Sequence, residues 1–188
     1  MSRLTVFEDT APETPVLDTS EFSEIKAALK DIGVRFERWN AAKNFPADAP
    51  DEEVLAAYSA DVKRICDEGG YQTVDILRVT EETPNKPAIR AKFLDEHTHS
   101  EDEVRFFIDG KGVFYLRLNG KVHMVLCEKD DLISVPANTT HWFDAGTDPR
   151  IAAIRFFNNM EGWVPNYTGS EISRSFPDYD YAVGVAAE

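Results

Sequence analysis

Residues 103–128 read EVRFFIDGKGVFYLRLNGKVHMVLCE, and this stretch decides the fold. Short runs of β-branched and aromatic residues alternate with turn residues, which is typical of consecutive β-strands. Asn119-Gly120 predicts a hairpin turn, because asparagine and glycine favour the type I′ turn. The stretch therefore predicts antiparallel strands that follow one another closely along the chain.

The pattern of short strands separated by turn residues continues to about residue 158, whereas the residues before 103 favour helices. Three further segments at 131–137, 140–146 and 150–158 look like short strands, and together the strands indicate a β-sandwich or barrel. Upstream, the spacing of apolar residues predicts helices, the first with Ser20 as N-cap and Gly33 at its end. The predicted helices are 20–33, 51–68 and 88–96, and the predicted strands are 4–7, 34–39 and 71–79.

These elements predict a mainly β protein, a barrel with N-terminal α-helices packed on it. At 188 residues the chain suits one domain over 1–188. Within it we expect a helical and strand N-terminal portion over about 1–92 and a metal-binding barrel over 93–160. The tail after Trp163 is aromatic but has no clear period, so it predicts no element.

Charge and composition exclude several classes of partner. Twenty Lys and Arg residues against 34 Asp and Glu give a net charge of −14, which repels nucleic-acid phosphates. No apolar run approaches the roughly 20 residues that span a membrane, and the first residues do not resemble a secretory signal, so we expect a cytoplasmic protein. Cys66 and Cys127 lie far apart and predict two buried thiols, with no disulfide framework or zinc knuckle.

Residues 96–103, EHTHSEDE, lie directly ahead of the first barrel strand and contain most of the candidate metal-binding residues. His97 and His99 are two residues apart, so in an extended segment their imidazoles project to the same side. Glu103 follows, and His141, which follows a turn after another strand, can fold back onto the group. Three imidazoles and a carboxylate suit a divalent first-row transition metal. A histidine taken alone is more often a hydrogen-bonded structural residue than a metal ligand, and only the combination favours a metal site. His123 has no acidic or imidazole neighbour in the sequence.

Strand alternation assigns an arginine to the same side as Glu103. If Glu103 points into the barrel, Arg105 and Phe107 point inward too, while Val104 and Phe106 face the other way. A buried arginine needs a partner. Two interpretations are open: Arg105 pairs with a buried carboxylate, or it receives an anionic substrate beside the metal, and we favour the second.

Other residues are candidates for the surroundings of the site. Phe93, Phe107 and Phe143 can form apolar walls, although core packing explains them equally well. Arg155 lies on a strand and is a candidate second inward cation. Ligating imidazoles usually donate their other N–H to an oxygen acceptor, and Glu96 and Asp102, beside the predicted ligands, are candidates for that role.

The motif resembles the cupins. His97-x-His99-x3-Glu103-x6-Gly110 resembles the first cupin motif, and residues 136–141 resemble part of the second. The second motif departs from the usual pattern at Asp130, Asn138 and Ala145. The resemblance implies a small β-barrel with the metal inside its mouth.

A closer resemblance covers the chain from about Leu4 to Thr168. The segments GVRFERW, FLDEHTHSEDEVRFFIDGKGVF, VLCEKDDLISVPANTTHWFDAG and IAAIRFFNNMEGWVPNYTG resemble the bacterial acireductone dioxygenases of methionine salvage. This resemblance implies that one Fe²⁺ or Ni²⁺ per monomer is bound by His97, His99, Glu103 and His141. It also implies that Arg105 supports the substrate dianion, and that Glu96 and Asp102 assist metal incorporation and transmit local conformational change.

The same resemblance implies the reaction. The substrate would be 1,2-dihydroxy-3-keto-5-methylthiopentene, cleaved with O₂ to formate and 4-methylthio-2-oxobutanoate by the iron form. The nickel form would give formate, carbon monoxide and 3-methylthiopropanoate. We expect a monomer whose partners are this small molecule and O₂. Two alternatives stay open: another cupin dioxygenase or isomerase, and a non-catalytic cupin that binds a small ligand.

Overall fold

Strands dominate the computed structural model, which describes residues 1–39, 44–46, 48–158 and 164–184. Its strands are β1 (Arg3–Glu8), β2 (Pro15–Thr19), β3 (Arg35–Arg38), β4 (Thr73–Val79), β5 (His97–Thr98), β6 (Glu103–Leu118), β7 (Lys121–Glu128), β8 (Asp131–Val135), β9 (Thr140–Asp144), β10 (Ile151–Phe157) and β11 (Asn166–Tyr167). Its helices are α1 (Phe22–Asp31), α2 (Asp51–Ala57), α3 (Ser59–Gly69), α4 (Lys86–Leu94) and α5 (Tyr179–Val183), with a 3-10 turn at Ile172–Ser175. The prediction of a mainly β architecture with helices packed on it is confirmed.

One long strand belongs to two sheets. The first half of β6 pairs antiparallel with β8 and β10, and its second half pairs with β7 and β9. Gly110 lies at the changeover with a φ of +76°, and a Cβ there would lie 1.9 Å from the carbonyl oxygen of Arg150. Only glycine combines that conformation with so close an approach. The two halves of β6 thus place their inner faces around one interior.

Strands from the N-terminal part complete both sheets. β1 pairs with β7, and β2 extends that sheet by pairing with β1. β3 pairs with β8, and β4 pairs with β10. The strands that form the sheets therefore come from both sides of residue 93.

Three apolar layers hold the sheets and helices together. The inner layer, between the two sheets, includes Val6, Phe107, Phe114, Val125, Ile133 and Phe143, with Ile25 and Leu29 of α1 packed against it. A second layer joins the outer face of one sheet to α2 and α3 and includes Val54, Tyr58, Ile65, Val104, Phe106 and Ile154. The third joins the other outer face to the C-terminal segment through Tyr115, Met124, Trp142, Phe176 and Ala182. Burial on both faces explains why the strands read as near-continuous apolar runs.

Several predicted element boundaries were wrong. The N-cap of α1 is Glu21 rather than Ser20, because the Thr19 hydroxyl accepts from the Glu21 N–H at 3.1 Å and donates to Glu24 at 2.6 Å. The predicted helix 51–68 divides at Tyr58, whose φ is −105° and whose ring packs edge-on against Phe106 at 5.1 Å. Gly33, with a φ of +78°, follows α1 as predicted.

Other differences concern continuity and the ends of the chain. The two strands predicted on either side of Gly110 form the single strand β6. β2, β11 and α5 were not predicted, because they are short and have little apolar periodicity. Cys127 is buried and Cys66 only partly so, both as free thiols. None of the helices in the described part of the chain is long and apolar enough to cross a membrane.

Candidate metal centre

Two neighbouring strands, β5 and β9, bring three histidines together. His97 lies on β5 directly opposite His141 on β9, and His99 follows β5 by one residue. Their ring centroids are 4.6 to 5.1 Å apart. One ring nitrogen from each lies within 4.8 Å of the others, and all three residues are buried. The grouping predicted from the spacing of His97, His99 and His141 is therefore present.

Glu103, at the first position of β6, lies beside two of these histidines. Its Oε2 atom is 3.1 Å from Nε2 of His99 and 3.1 Å from Nε2 of His141. The residue is 2% exposed. The Glu103 carboxylate thus lies beside two of the three buried imidazoles.

Main-chain carbonyls orient the three imidazoles. The Nδ1 atoms of His97 and His141 lie 2.7 Å from the carbonyl oxygens of Asp95 and Thr139, and Nδ1 of His99 lies 3.2 Å from that of Val164. A carbonyl only accepts, so each Nδ1 carries a hydrogen, and Nε2 is the ring nitrogen that can bind a metal ion. Burial lowers the pKa of His97 to about 4, so that ring is neutral near pH 7.

The Nε2 atoms of His99 and His141 both lie 3.1 Å from the carboxylate oxygen of Glu103. Lone pairs this close are stabilised by a cation between them, either a proton or a metal ion. Imidazole nitrogen with carboxylate oxygen is the donor set that divalent transition metals prefer. The residues present thus fit a divalent metal ion.

Arg105 pairs with the carboxylate of this cluster. Its Nη2 is 2.7 Å from Oε1 of Glu103, and both side chains are almost completely buried. Burial alone would raise the pKa of Glu103, but the Arg105 guanidinium and the nearby imidazoles outweigh it and hold that pKa well below its ordinary value. Glu103 is thus ionised, with one oxygen towards Arg105 and the other towards the histidines.

Aromatic rings enclose the Arg105 guanidinium. Its central carbon lies 4.6 Å from the ring centre of Phe143, 5.4 Å from that of Phe114 and 5.7 Å from that of Phe93. The rings come from β9, the second half of β6 and α4. Phe107 belongs to the same inner layer. A cation held among π faces in a dry interior keeps a strong field, because little water screens it.

The two acidic residues beside the ligands make other contacts than the imidazole bonds we expected. Glu96 is 2% exposed, and its carboxylate accepts from the Thr168 hydroxyl at 2.7 Å and from Arg117 at 3.3 Å. Asp102 accepts from the Ala137 N–H at 2.9 Å and from the Tyr71 hydroxyl at 3.1 Å. Glu96 thus holds the C-terminal part of the chain, and Asp102 the turn that leads to His141.

Arg155 and His123 lie away from the histidine cluster. Arg155 is opposite Arg105 in the pairing of β10 with β6, and it forms a two-pronged ion pair with Asp75 at 2.6 and 2.8 Å. His123 is buried on β7 with its Nδ1 3.3 Å from the carbonyl oxygen of Leu116. The histidine group of the described residues consists of His97, His99 and His141.

Sequence reasoning missed the residues that support the cluster through the main chain. Asp95, Thr139 and Val164 contribute carbonyl oxygens, which every residue type has, so no sequence signal marks them. Thr168 lies in a stretch without periodicity. Phe114 lies in the second half of β6. Because the strand passes from one sheet to the other at Gly110, the alternation counted from Glu103 does not predict which face Phe114 occupies.

Comparisons with known proteins identify the family of the chain. The ARD/ARD′ family model matches residues 3–165. Acireductone dioxygenase of Parvibaculum lavamentivorans (strain DS-1) is 55% identical over 180 residues, 96% of this chain and 98% of that protein. Acireductone dioxygenase of Stenotrophomonas maltophilia (strain K279a) is 50% identical over 179 residues, 95% of this chain and 97% of that protein.

A solved structure shares the fold. The acireductone dioxygenase from Bacillus anthracis with a cadmium ion in its active centre superposes with a TM-score of 0.79 at 32% identity. The match covers 89% of this chain and 98% of that one. The mainly β fold is thus shared with that structure. The chain therefore belongs to the ARD/ARD′ family of metal-dependent dioxygenases.

Proposed function

We propose that the protein is an acireductone dioxygenase of methionine salvage, with its active site at the histidine cluster. The observation that carries the proposal is the group of three buried imidazoles beside Glu103. The Oε2 atom of Glu103 lies 3.1 Å from His99 and His141, and Arg105 pairs with its Oε1 at 2.7 Å. In this proposal His97, His99, Glu103 and His141 hold one Fe²⁺ or Ni²⁺ per monomer. When bound, the ion supplies Lewis acidity and coordination positions for substrate oxygens.

Arg105 acts on the substrate in this proposal. Acireductone, 1,2-dihydroxy-3-keto-5-methylthiopentene, carries two acidic enediol hydroxyls. A fixed positive charge in an enclosed site favours the dianion, because it lowers the pKa of a neighbouring acid. The dianion is electron-rich enough to react with O₂. Arg105 also holds Glu103 in one orientation, so one guanidinium serves both the carboxylate and the substrate.

The aromatic side chains exclude water and shape the pocket. Phe93 and Phe143 lie against Arg105 from α4 and β9, and Phe107 lies in the layer behind them. Water excluded from this space cannot screen the Arg105 charge. We propose that Arg155, which lies opposite Arg105 in the sheet, is a more distant cation whose charge is partly neutralised by its ion pair with Asp75.

The two acidic neighbours keep the roles that the family resemblance implies. We assign Glu96 and Asp102 to metal incorporation and to the transmission of local conformational change. Their contacts support this: Glu96 joins the segment after β10, and Asp102 joins the turn before His141. Each connects a ligand-bearing segment with a distant part of the chain.

The products depend on the metal. With Fe²⁺ the substrate and one O₂ give formate and 4-methylthio-2-oxobutanoate. With Ni²⁺ they give formate, carbon monoxide and 3-methylthiopropanoate. The same four side chains serve both metals, so the difference must come from how the substrate chelates. We further propose a cytoplasmic monomer with one cupin domain over residues 1–188, its metal-binding barrel centred on 93–160.

The experiment that tests the proposal is product analysis of protein reconstituted separately with Fe²⁺ and Ni²⁺. We expect both forms to consume O₂ with an acireductone analogue, and only the nickel form to release carbon monoxide. Protein treated with a chelator is the control for reaction of the substrate with O₂ in solution. Full metal content without turnover would indicate another cupin enzyme, or a cupin that binds its ligand without chemistry.

A further inference from the structure

A short segment of the C-terminal part lies across the histidine cluster. We call residues 164–168 the strap; it includes β11. Tyr167 pairs with His97 and Asn166 with Thr98, and the Val164 carbonyl oxygen is the acceptor for Nδ1 of His99 at 3.2 Å. The strap thus contacts two of the three histidines without contributing a ligand.

The strap is poorly held by apolar burial. Val164 is 61% exposed and Tyr167 is 53% exposed. β11 has only two residues and pairs on one side with β5, itself two residues long, and so short a ladder contributes little stability by itself. Polar contacts must therefore fix the strap over the cluster.

One set of those contacts ends on a buried carboxylate. The Thr168 hydroxyl donates to Oε1 of Glu96 at 2.7 Å, and the Thr168 N–H donates to the Glu96 main-chain oxygen at 3.0 Å. Arg117 donates to the other carboxylate oxygen at 3.3 Å and pairs with Asp9 at 3.1 Å. Hydrogen bonds to an ionised group are stronger than neutral ones. Thr168 is thus tied to the residue directly before His97.

We propose that Thr168 and Glu96 are positioning residues that latch the strap over the metal centre. With the latch closed, the Val164 carbonyl stays on Nδ1 of His99 and keeps that ring turned with Nε2 towards the metal. With the latch open, the strap lifts and His99 rotates more freely. The inference deepens the proposed function and rests on it, because it assumes that the cluster holds a metal.

The chemical consequence is slower metal release when the latch is closed. An outer hydrogen-bond partner of a ligating histidine typically affects metal affinity by about 10- to 100-fold. Thr168 acts one step further out, through the strap. We therefore expect an effect near the lower end of that range, and we expect it in the rate of metal release.

The test compares Thr168→Val with Thr168→Ser. Valine keeps the shape and the main-chain bond but loses the hydroxyl, whereas serine keeps the hydroxyl. We expect the Thr168→Val protein to release Ni²⁺ to an excess of a coloured chelator about tenfold faster than the parent, and Thr168→Ser to release it at nearly the parent rate. Thr147→Val is the matched control, because Thr147 is an exposed threonine in the loop between β9 and β10.

A second measurement separates positioning from general destabilisation. Amide hydrogen exchange on the metal-free protein should be faster at residues 167 and 168 in Thr168→Val than in Thr168→Ser. Glu96→Gln is the second variant: its amide oxygen still accepts from Thr168 but no longer attracts Arg117, so we expect an intermediate release rate. A merely structural role would lower the melting temperature without changing metal release.

The outcomes distinguish the latch from the proposed function. If the parent retains Ni²⁺ and Thr168→Val releases it at the parent rate, the latch is overturned and the proposed function stands. If the parent protein takes up no Ni²⁺ or Fe²⁺, the proposed function is overturned, and the latch with it. A rate for Thr168→Ser as fast as for Thr168→Val would also contradict the latch, because serine restores the donor.

Discussion

The two faces of the first half of β6 are equally buried but chemically opposite. Glu103 and Arg105 on the inner face are 2% and 1% exposed, and Val104 and Phe106 on the outer face are 1% and 0% exposed. Phe106 stacks on Trp39 with ring centres 4.0 Å apart, whereas the inner pair faces a histidine cluster. Burial alone therefore does not distinguish the face that carries chemistry from the face that carries stability.

The difference lies in what each face contributes to folding. Burying a phenylalanine side chain stabilises by about 1.5–3 kcal/mol. A buried ion pair contributes little net stability, because desolvation offsets the attraction. The inner face is thus maintained for a site, and the outer face for the fold. Substitutions on the two faces should separate metal binding and turnover from stability.

The largest effect should come from the inner carboxylate. We expect Glu103→Ala to lose metal and activity altogether, as should His97→Ala. Glu103→Ala should also lower the free energy of unfolding of the metal-free protein by about 3–5 kcal/mol, because Arg105 is left buried without its carboxylate. Metal analysis, O₂ uptake and urea unfolding measure these effects. Glu13→Ala, at an exposed position, is the control, and metal retained by Glu103→Ala would contradict the assignment.

The matching change on the outer face should affect stability alone. Phe106→Ala removes a ring in contact with Trp39 and Tyr58, and we expect it to cost about 3–5 kcal/mol in free energy of unfolding. The folded fraction should still bind one metal per chain, because no ligand lies on this face. Urea unfolding with metal analysis of the folded protein tests this. A loss of metal without a loss of stability would break the comparison.

Replacing the inner cation should separate turnover from metal binding. We expect metal-loaded Arg105→Ala to keep its metal but lose about 10²–10³-fold in turnover, because a preorganised charge no longer favours the substrate dianion. Steady-state kinetics and metal analysis measure the two properties. Arg150→Ala, at an arginine that is 60% exposed, is the matched control. Unchanged kinetics in Arg105→Ala would remove the argument for a dianion.

A smaller effect should follow from filling the space beside the Phe143 ring. A Cβ on Gly112 would lie 2.2 Å from that ring, and the ring covers Arg105. Gly112→Ala should cost about 1–3 kcal/mol in free energy of unfolding by overpacking, and it should raise KM as Phe143 shifts. The double variant with Phe143→Leu should recover part of both losses. Additive losses would show that Gly112 does not act through Phe143.

The smallest effect concerns pH. Burial lowers the pKa of His123 below its usual 6.5, so the folded state resists protonation of this ring. Its contribution is present above the unfolded pKa and is lost as pH falls below it. We expect His123→Leu to narrow the difference in free energy of unfolding between about pH 7 and about pH 5.5 by roughly 1 kcal/mol or less. An unchanged difference would mean that other groups account for the acid sensitivity.

Local patterns in the sequence predicted the side-chain assignment in the first half of β6. The alternation from Glu103 correctly placed Arg105 and Phe107 on one face and Val104 and Phe106 on the other. That inference needs only the two-residue period of a strand, so it is correct although several predicted element boundaries were wrong. Two interpretations of Arg105 were open: pairing with a buried carboxylate, or binding an anionic substrate beside the metal. The pairing of Arg105 with Glu103 is compatible with both, because the buried carboxylate is itself a predicted metal ligand.

What the sequence did not predict depends on contacts between distant residues. The acceptors for the histidine Nδ1 atoms are main-chain oxygens, so their positions follow from the fold and not from residue type. We expected Glu96 to serve an imidazole, but the structure places Thr168 and Arg117 on its carboxylate. The division of the predicted helix at Tyr58 likewise reflects packing on Phe106, which no local signal contains.

The shared strand β6 also has a consequence for how the protein opens. Because its halves lie in different sheets, neither sheet can separate from the other without breaking pairs in the strand they have in common. Local opening of one half should therefore be rare, and the β6 amides on both sides of Gly110 should exchange only with global unfolding. Cooperativity between the sheets would then keep Glu103 and Phe114 in fixed relation through the whole lifetime of the folded state.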